Sequence, residues 1–197
     1  MGTITVCERP ETVSFEAIHR LLYAAHAANR EAGLHVKTAE LPADELEAQL
    51  GGDGRCFVAL DGDEPVGVTA VRILERKRWY AKGRVADQIF VAVLPAYAGR
   101  QISSRLHDRV VAFARENGLG LIELRTASAN AAMQRACAAW GFRRVDYAAF
   151  RGVDHYTVIL HKWLDGCPYP AWETELRFAL KKRLVRLRFK PGRVPRL

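Results

Sequence analysis

Cysteine is scarce in this chain: four among 197 residues, at positions 7, 56, 137 and 167, none of them in a CxxC pair. Zinc and dithiol sites of that spacing are excluded, and reduced, separately placed thiols are expected. The six histidines never fall into HExxH; His19 and His26, seven apart on one helix face, read as surface or packed groups, and no metal site is expected. No apolar run approaches the roughly 18 to 20 residues that cross a bilayer. Met1 is not followed by the basic and apolar segments of a secretory signal, so the cytoplasm is the expected compartment. There is no internal repeat, and no long linker precedes residue 165.

What is present is ordinary globular material, 49% hydrophobic and 26% charged, in a length that suits one compact domain. The charge is not evenly spread. Residues 173–197 hold nine basic side chains against Glu173 and Glu175, a balance of +7, which leaves +1 of the total +8 for the first 172 residues. Basicity therefore belongs to a tail, and nucleic-acid binding is not expected of the body, which has no groove-reading motif.

Phe15, Ile18, Leu22 and Ala25 at helical spacing predict a helix over 14–30, and a second, short helix is expected over 42–50 with Asp44 and Glu45 in its first turn. Two β-branched runs, 56–60 and 66–74, are joined by AspGlyAspGluPro and read as a hairpin. A strand at about 85–93 follows. The stripe Ile102, Leu106, Val110 and Phe113 marks a helix that Asn117 and Gly118 stop. A strand over 120–127, a helix over 130–140 and strands over 142–149 and 155–163 complete the order. The pattern is α+β: helices packed on one mixed sheet.

Residues 91–106, VAVLPAYAGRQISSRL, run from strand through a proline turn and a glycine into a helix start. Backbone N–H groups at such a junction converge and add to the positive end of the helix dipole, which suits a pyrophosphate. Gly99 permits close approach, Arg100 supplies charge, and Ser103 and Ser104 supply hydroxyls.

This segment, followed by NAAMQRACAAWGF at 130–142, resembles the acetyl-CoA-dependent N-acetyltransferases of the GNAT superfamily. Asn130, Met133, Cys137, Gly141 and Phe142 stand where that family opens, continues and closes its second motif. The resemblance implies a GNAT-like mixed, mostly antiparallel sheet flanked by helices, a domain over 1–164 and a basic C-terminal extension over 165–197. It implies acetyl-CoA as acyl donor and an amine acceptor, a small molecule or an amino sugar. In the family the strand matching 85–93 carries a bulge and splays from its neighbour. Carried over, Phe90, Val91 and Val93 bind pantetheine through main-chain atoms, Gly99, Arg100, Gln101, Ile102, Ser103 and Ser104 hold the pyrophosphate, and Asn130 belongs to the cofactor site.

Three departures stand out. Ala98 and Gln101 occupy positions where the family favours Gln or Arg and Gly, and Cys137 stands where many members carry a tyrosine that protonates the leaving thiolate. Tyr97, Tyr147, Tyr156 or water are the alternatives to Cys137. Asp87 lies eight residues before Pro95, where several members of the family it resembles place an acidic base, and is the expected general base, with alternation placing it beside Ile89 and Val91 in apolar surroundings that raise a carboxyl pKa; Glu123 is the second choice. The oxyanion is expected to meet a main-chain N–H near Val91. A catalytically degenerate scaffold of the same fold and a tail that binds polyanions remain open beside the enzyme. The acceptor is expected over residues 20–45 and the last strands.

In the tail, Leu176, Leu180, Leu184 and Leu187 recur at helical spacing beside Lys181, Lys182, Arg186 and Arg188, which predicts a basic amphipathic helix over 173–189. It could pack on the body, on a partner subunit of a homodimer, or on an anionic membrane. LysProGlyArgValProArg after Phe189 cannot continue it.

Overall fold

The computed structural model describes residues 3–78, 81–150, 153 and 155–189; the extension after Phe189 lies outside them. Strand β1 (Ile4–Glu8) comes first, ahead of the helices with which the sequence reading began. It is a five-residue edge strand with mixed exposure, too short to show a clean period. Helices α1 (Phe15–Ala25), α2 (Ala27–Glu31), α3 (Lys37–Glu40) and α4 (Ala43–Ala48) follow. The single helix expected over 14–30 is thus broken at His26, which caps α1. Ser14 opens α1 by accepting from the Ala17 N–H, and Phe15, Ile18, Leu21 and Leu22 bury its inner face.

Strands β2 (Arg55–Asp61), β3 (Glu64–Arg78) and β4 (Ala81–Val93) form an antiparallel meander. Then come a 3₁₀ turn (Pro95–Tyr97), α5 (Ile102–Glu116), β5 (Leu121–Ala127), α6 (Ala131–Ala139), β6 (Arg143–Ala149), β7 (Tyr156–Trp163) and α7 (Ala171–Arg188). The seven strands make one sheet in the order β1-β2-β3-β4-β5-β7-β6, antiparallel except for β4 with β5. The mixed, mostly antiparallel GNAT-like sheet flanked by helices is therefore present, with a C-terminal helix.

Two cores cover the two faces. Against one face α1, α3 and α4 pack Ile18, Leu22, Ala39 and Leu46 onto Val58, Val68 and Ala70. Against the other, Ile102, Leu106, Val110 and Phe113 of α5 and Cys137 of α6 meet Phe57, Ala59 and Val71. Gly67 lets α5 lie close to β3: a Cβ there would stand 3.0 Å from Ile102 Cγ2.

Phe178 and Val185 of α7 belong to this second core and surround Tyr147 of β6. The leucine stripe singled out in the sequence faces the other way: Leu176, Leu180, Leu184 and Leu187 are 52 to 76% exposed. Inward packing falls instead to Thr174, Phe178 and Val185, so α7 carries apolar residues on two opposite faces.

Candidate active site

The site begins where β4 loses its neighbours. Its pairing with β5 covers only Ala86↔Ile122, Asp87↔Glu123 and Gln88↔Leu124, and past Gln88 the two parallel strands separate. On the other side, the register with β3 shifts between Val68 and Ala70, opposite Phe90, which takes φ 58°. A non-glycine residue in that region marks strain held by its surroundings. The bulge also changes which way the side chains point: Ile89 and Phe90 both join the core under α1, while Val91 and Val93 pack toward α5. The main chain from 89 to 93 thereby presents polar groups toward the gap between β4 and β5.

At the end of β4 the turn carries two left-handed residues, Gly99 at φ 77° and Gln101 at φ 57°. Gln101 thus adopts the backbone shape that a glycine would, despite its Cβ. It stands at the N-terminus of α5 without side-chain capping, and the first N–H groups of a helix have no intrahelical acceptor. Residues 99–104 thus carry the left-handed turn and the uncapped first turn of α5. Ser104 is less free than the sequence suggests, since its hydroxyl accepts from Trp140 Nε1 at 3.1 Å. Arg100 stacks its guanidinium over Tyr97. Asn130 caps α6, accepting from the Met133 N–H at 3.0 Å.

Asp87, Glu123 and Cys137 lie on β4, β5 and α6, the elements expected for them, and the structure adds their surroundings. Asp87 is fully buried, and its surroundings are ionic rather than apolar. Arg72 Nε donates to Oδ2 at 2.9 Å, and Arg125 Nη2 reaches Oδ1 at 2.9 Å and Oδ2 at 2.7 Å. Alternation had put Val91 beside Asp87; the bulge at Phe90 turns it away. Glu123 is also buried, held by Arg76 and by His161 Nε2 at 3.1 Å. Burial pushes its pKa up, but the His161 hydrogen bond and the Arg76, His161 and Arg125 charges outweigh that and bring it down to about 2. Cys137 is wholly enclosed in the core, and burial raises its thiol to about 12. Tyr97 donates to Asp61, and Tyr156 to the Phe189 carbonyl.

Beside the bulge is a cavity of about 380 Å³, closed by residues of the α1–α4 segment on one side and of the β6–β7 segment on the other. Phe90, Val91, Asn130 and Met133 form the end nearest the strand gap, and His26, Lys37, Arg72, Arg125 and His155 supply its titratable lining. Asp87, Glu123 and Cys137 do not line it. Its lining draws on residues 26–49 and on 150–157.

Sequence reasoning missed Arg72, Arg125 and a buried polar chain. Lys162 donates to His107 Nε2 at 3.0 Å, His107 Nδ1 to Gln88 Oε1 at 2.9 Å, and Gln88 Nε2 to Thr69 Oγ1 at 3.1 Å. The Thr69 hydroxyl ends the chain on the Ile89 carbonyl, beside the bulge, at 3.4 Å. This direction requires a neutral His107, and burial followed by the Lys162 charge lowers its pKa to about 3. A histidine on the apolar face of a helix would have been the signal.

Parallel strands that part after Gln88, a bulge at the gap and a left-handed turn into the next helix are the features this end of the sheet presents. Residues 16–142 match the model of the acetyltransferase (GNAT) family, and the chain belongs to that family. No curated protein matches it by sequence. Among solved structures it resembles an acetyltransferase from Streptococcus agalactiae (20% identity, TM-score 0.64), covering 82% of this chain and 98% of that one. The ribosomal-protein-S18-alanine N-acetyltransferase of Escherichia coli is similar at 13% identity and TM-score 0.63, over 82% and 94%. So is yncA of Salmonella typhimurium, solved with its cofactor acetyl-CoA, at 19% identity and TM-score 0.62, over 86% and 98%. At these identities the likeness is one of fold.

Proposed function

We propose that the protein transfers an acetyl group from acetyl-CoA to a primary amine by direct attack. The observation that carries this reading is the bulge at Phe90 together with the end of β4–β5 pairing after Gln88. It leaves main-chain groups of Phe90, Val91 and Val93 for the pantetheine amides, and the cradle at Gly99, Arg100, Gln101, Ile102, Ser103 and Ser104 for the pyrophosphate. Asn130, whose oxygen is engaged in capping α6, shapes the end of the cavity beside Met133. When bound, the cofactor supplies an activated acetyl thioester.

The residues around the gap assign the remaining tasks. A main-chain N–H near Val91 polarises the acyl carbonyl. The amine must arrive deprotonated, and Lys37, Arg72 and Arg125 favour that form, because like charges disfavour an ammonium ion. A buried carboxylate general base is then unnecessary. We assign Asp87 and Glu123 to positioning: Asp87 holds the two guanidinium groups that face the cavity, and Glu123 braces Arg76 and Arg125. Cys137 packs α6, and water takes the proton that the attacking nitrogen loses and returns one to the departing thiolate, so that amine and thioester give amide and thiol. Release of the coenzyme A thiol from acetyl-CoA, made dependent on an added amine, tests the reading. Hydrolysis without acetylated product, or silence with every amine, contradicts it.

A second reading concerns where the enzyme works, and α7 carries it. Trp172, Leu176, Leu180, Leu184 and Leu187 are exposed along its outer face while Phe178 and Val185 fasten the inner one. Arg177, Arg183 and Arg188 are also exposed along α7. Pairing two copies through this face would bring like charges together, whereas an anionic membrane matches both leucine and arginine. We infer that α7 rests on such a surface. No helix among the described residues is long and apolar enough to cross a membrane. Vesicles of phosphatidylcholine with phosphatidylglycerol should bind the protein in a salt-sensitive way, and Leu176→Ser with Leu187→Ser should abolish it. Equal binding to pure phosphatidylcholine, or concentration-dependent dimerisation lost in the same variant, overturns it.

A further inference from the structure

The charge arrangement at the cavity floor identifies the kind of acceptor, given the acetyl-transfer reading on which this inference rests. Arg72 and Arg125 both bond Asp87, Arg125 Nε also stands 3.7 Å from Glu123 Oε1, and these groups are not equally accessible. Asp87 has no exposed side-chain surface, whereas Arg72 keeps 21% and Arg125 32% of theirs. Seen from the cavity, the cations are in front and their counter-charge lies beneath. Lys37, exposed on α3, adds a third cation at the rim. Among the described lining residues there is no aspartate or glutamate.

Arg72 is also fixed in place. Its Nη1 donates to the Gln49 carbonyl at 3.1 Å and to Gln49 Oε1 at 2.6 Å, while its Nε is bound to Asp87. A guanidinium immobilised before a ligand arrives loses little further freedom on binding, which favours tight and directional recognition. A polycationic acceptor would meet three like charges here. An acceptor with an acidic group would have its acid held by the arginines and its amine directed toward the bulge.

We propose that the acceptor is an amine bearing an anionic group, a carboxylate or a phosphate, recognised by Arg72 and Arg125 with Lys37 at the rim. The arginines hold the acid and so fix the direction in which the amine points.

The test uses the full chain saturated with desulfo-CoA, which fills the donor site without reacting, and titrates it calorimetrically with L-glutamate, phosphoethanolamine and spermidine. Glutamate or phosphoethanolamine should bind and spermidine should not; the stronger of the first two tells carboxylate from phosphate. Arg125→Gln should weaken the acidic probe about tenfold, and the exposed Lys37→Gln about threefold, since each removes a charge-assisted contact. Affinity for desulfo-CoA should be unchanged in Lys37→Gln, which keeps the test decisive should Arg125→Gln fail to fold. Tighter binding of spermidine, or no binding of either acidic probe by a desulfo-CoA-loaded protein, overturns the proposal and leaves acetyl transfer standing. Failure of desulfo-CoA itself to bind overturns both.

Discussion

Asp87 is the residue whose proposed role depends most on its partners. Buried between Arg72 and Arg125, it balances two charges that the cavity displays. Asp87→Asn should destabilise the fold by about 3 kcal/mol, because removing one partner of a buried ion pair strands the others. It should also raise KM for the amine more than it lowers kcat, as expected of a positioning residue; thermal melts and steady-state kinetics check both. Cys137→Ala should cost about 1 kcal/mol of stability through a small core cavity and leave kcat near wild type. A stable but inactive Cys137→Ala would restore the thiol to the mechanism. His107 gives a pH signature. Its pKa is lowered by burial to about 3, so the unfolded chain binds more protons than the folded one below about pH 6.5. Stability present above pH 6.5 is therefore lost as pH falls toward 3. Denaturant titrations across this range should show that slope in wild type and a shallower one in His107→Leu.

The elements that place the site follow from local rules of different legibility. The α5 stripe and its Asn117–Gly118 stop could be read directly, and Asn117 Nδ2 does donate to the Phe113 carbonyl at 2.9 Å. The turn into α5 was legible from GlyArg before a helix, but the left-handed conformation of Gln101 was not, because a glutamine signals no such turn. The bulge at Phe90 was equally silent in the residues and came only through family resemblance. It misled the reading of Asp87, since simple alternation assumes a regular strand. Arg72 and Arg125 lie on β3 and β5, and only the sheet order sets both beside β4; no spacing within the sequence could pair them. Gln101 offers a direct check on the loop. Gln101→Gly should leave stability and acetyl-CoA affinity close to wild type, while Gln101→Val, β-branched at positive φ, should cost about 2 kcal/mol and weaken acetyl-CoA. Equal behaviour of the two variants in calorimetry would mean that the loop shape does not matter.

At the scale of the whole molecule, the C-terminal helix is the part most changed by seeing the fold. Composition alone suggests a detachable basic tail after Asp165. In the structure Phe178 and Val185 pack into the main core beside Tyr147, so removal of the helix is expected to open the body there. Truncation after Asp165 should therefore lower the melting temperature strongly, whereas Leu176→Ser with Leu187→Ser should leave it unchanged, as differential scanning calorimetry would show. The central claim is that acetyl-CoA is held by main-chain groups at the strand gap and the α5 cradle. Backbone amide chemical shifts, followed by NMR during an acetyl-CoA titration, test it most directly. Saturable changes should be largest at Val91, Val93 and Gly99 to Ser104; no saturable change, or changes confined to other segments, would contradict it.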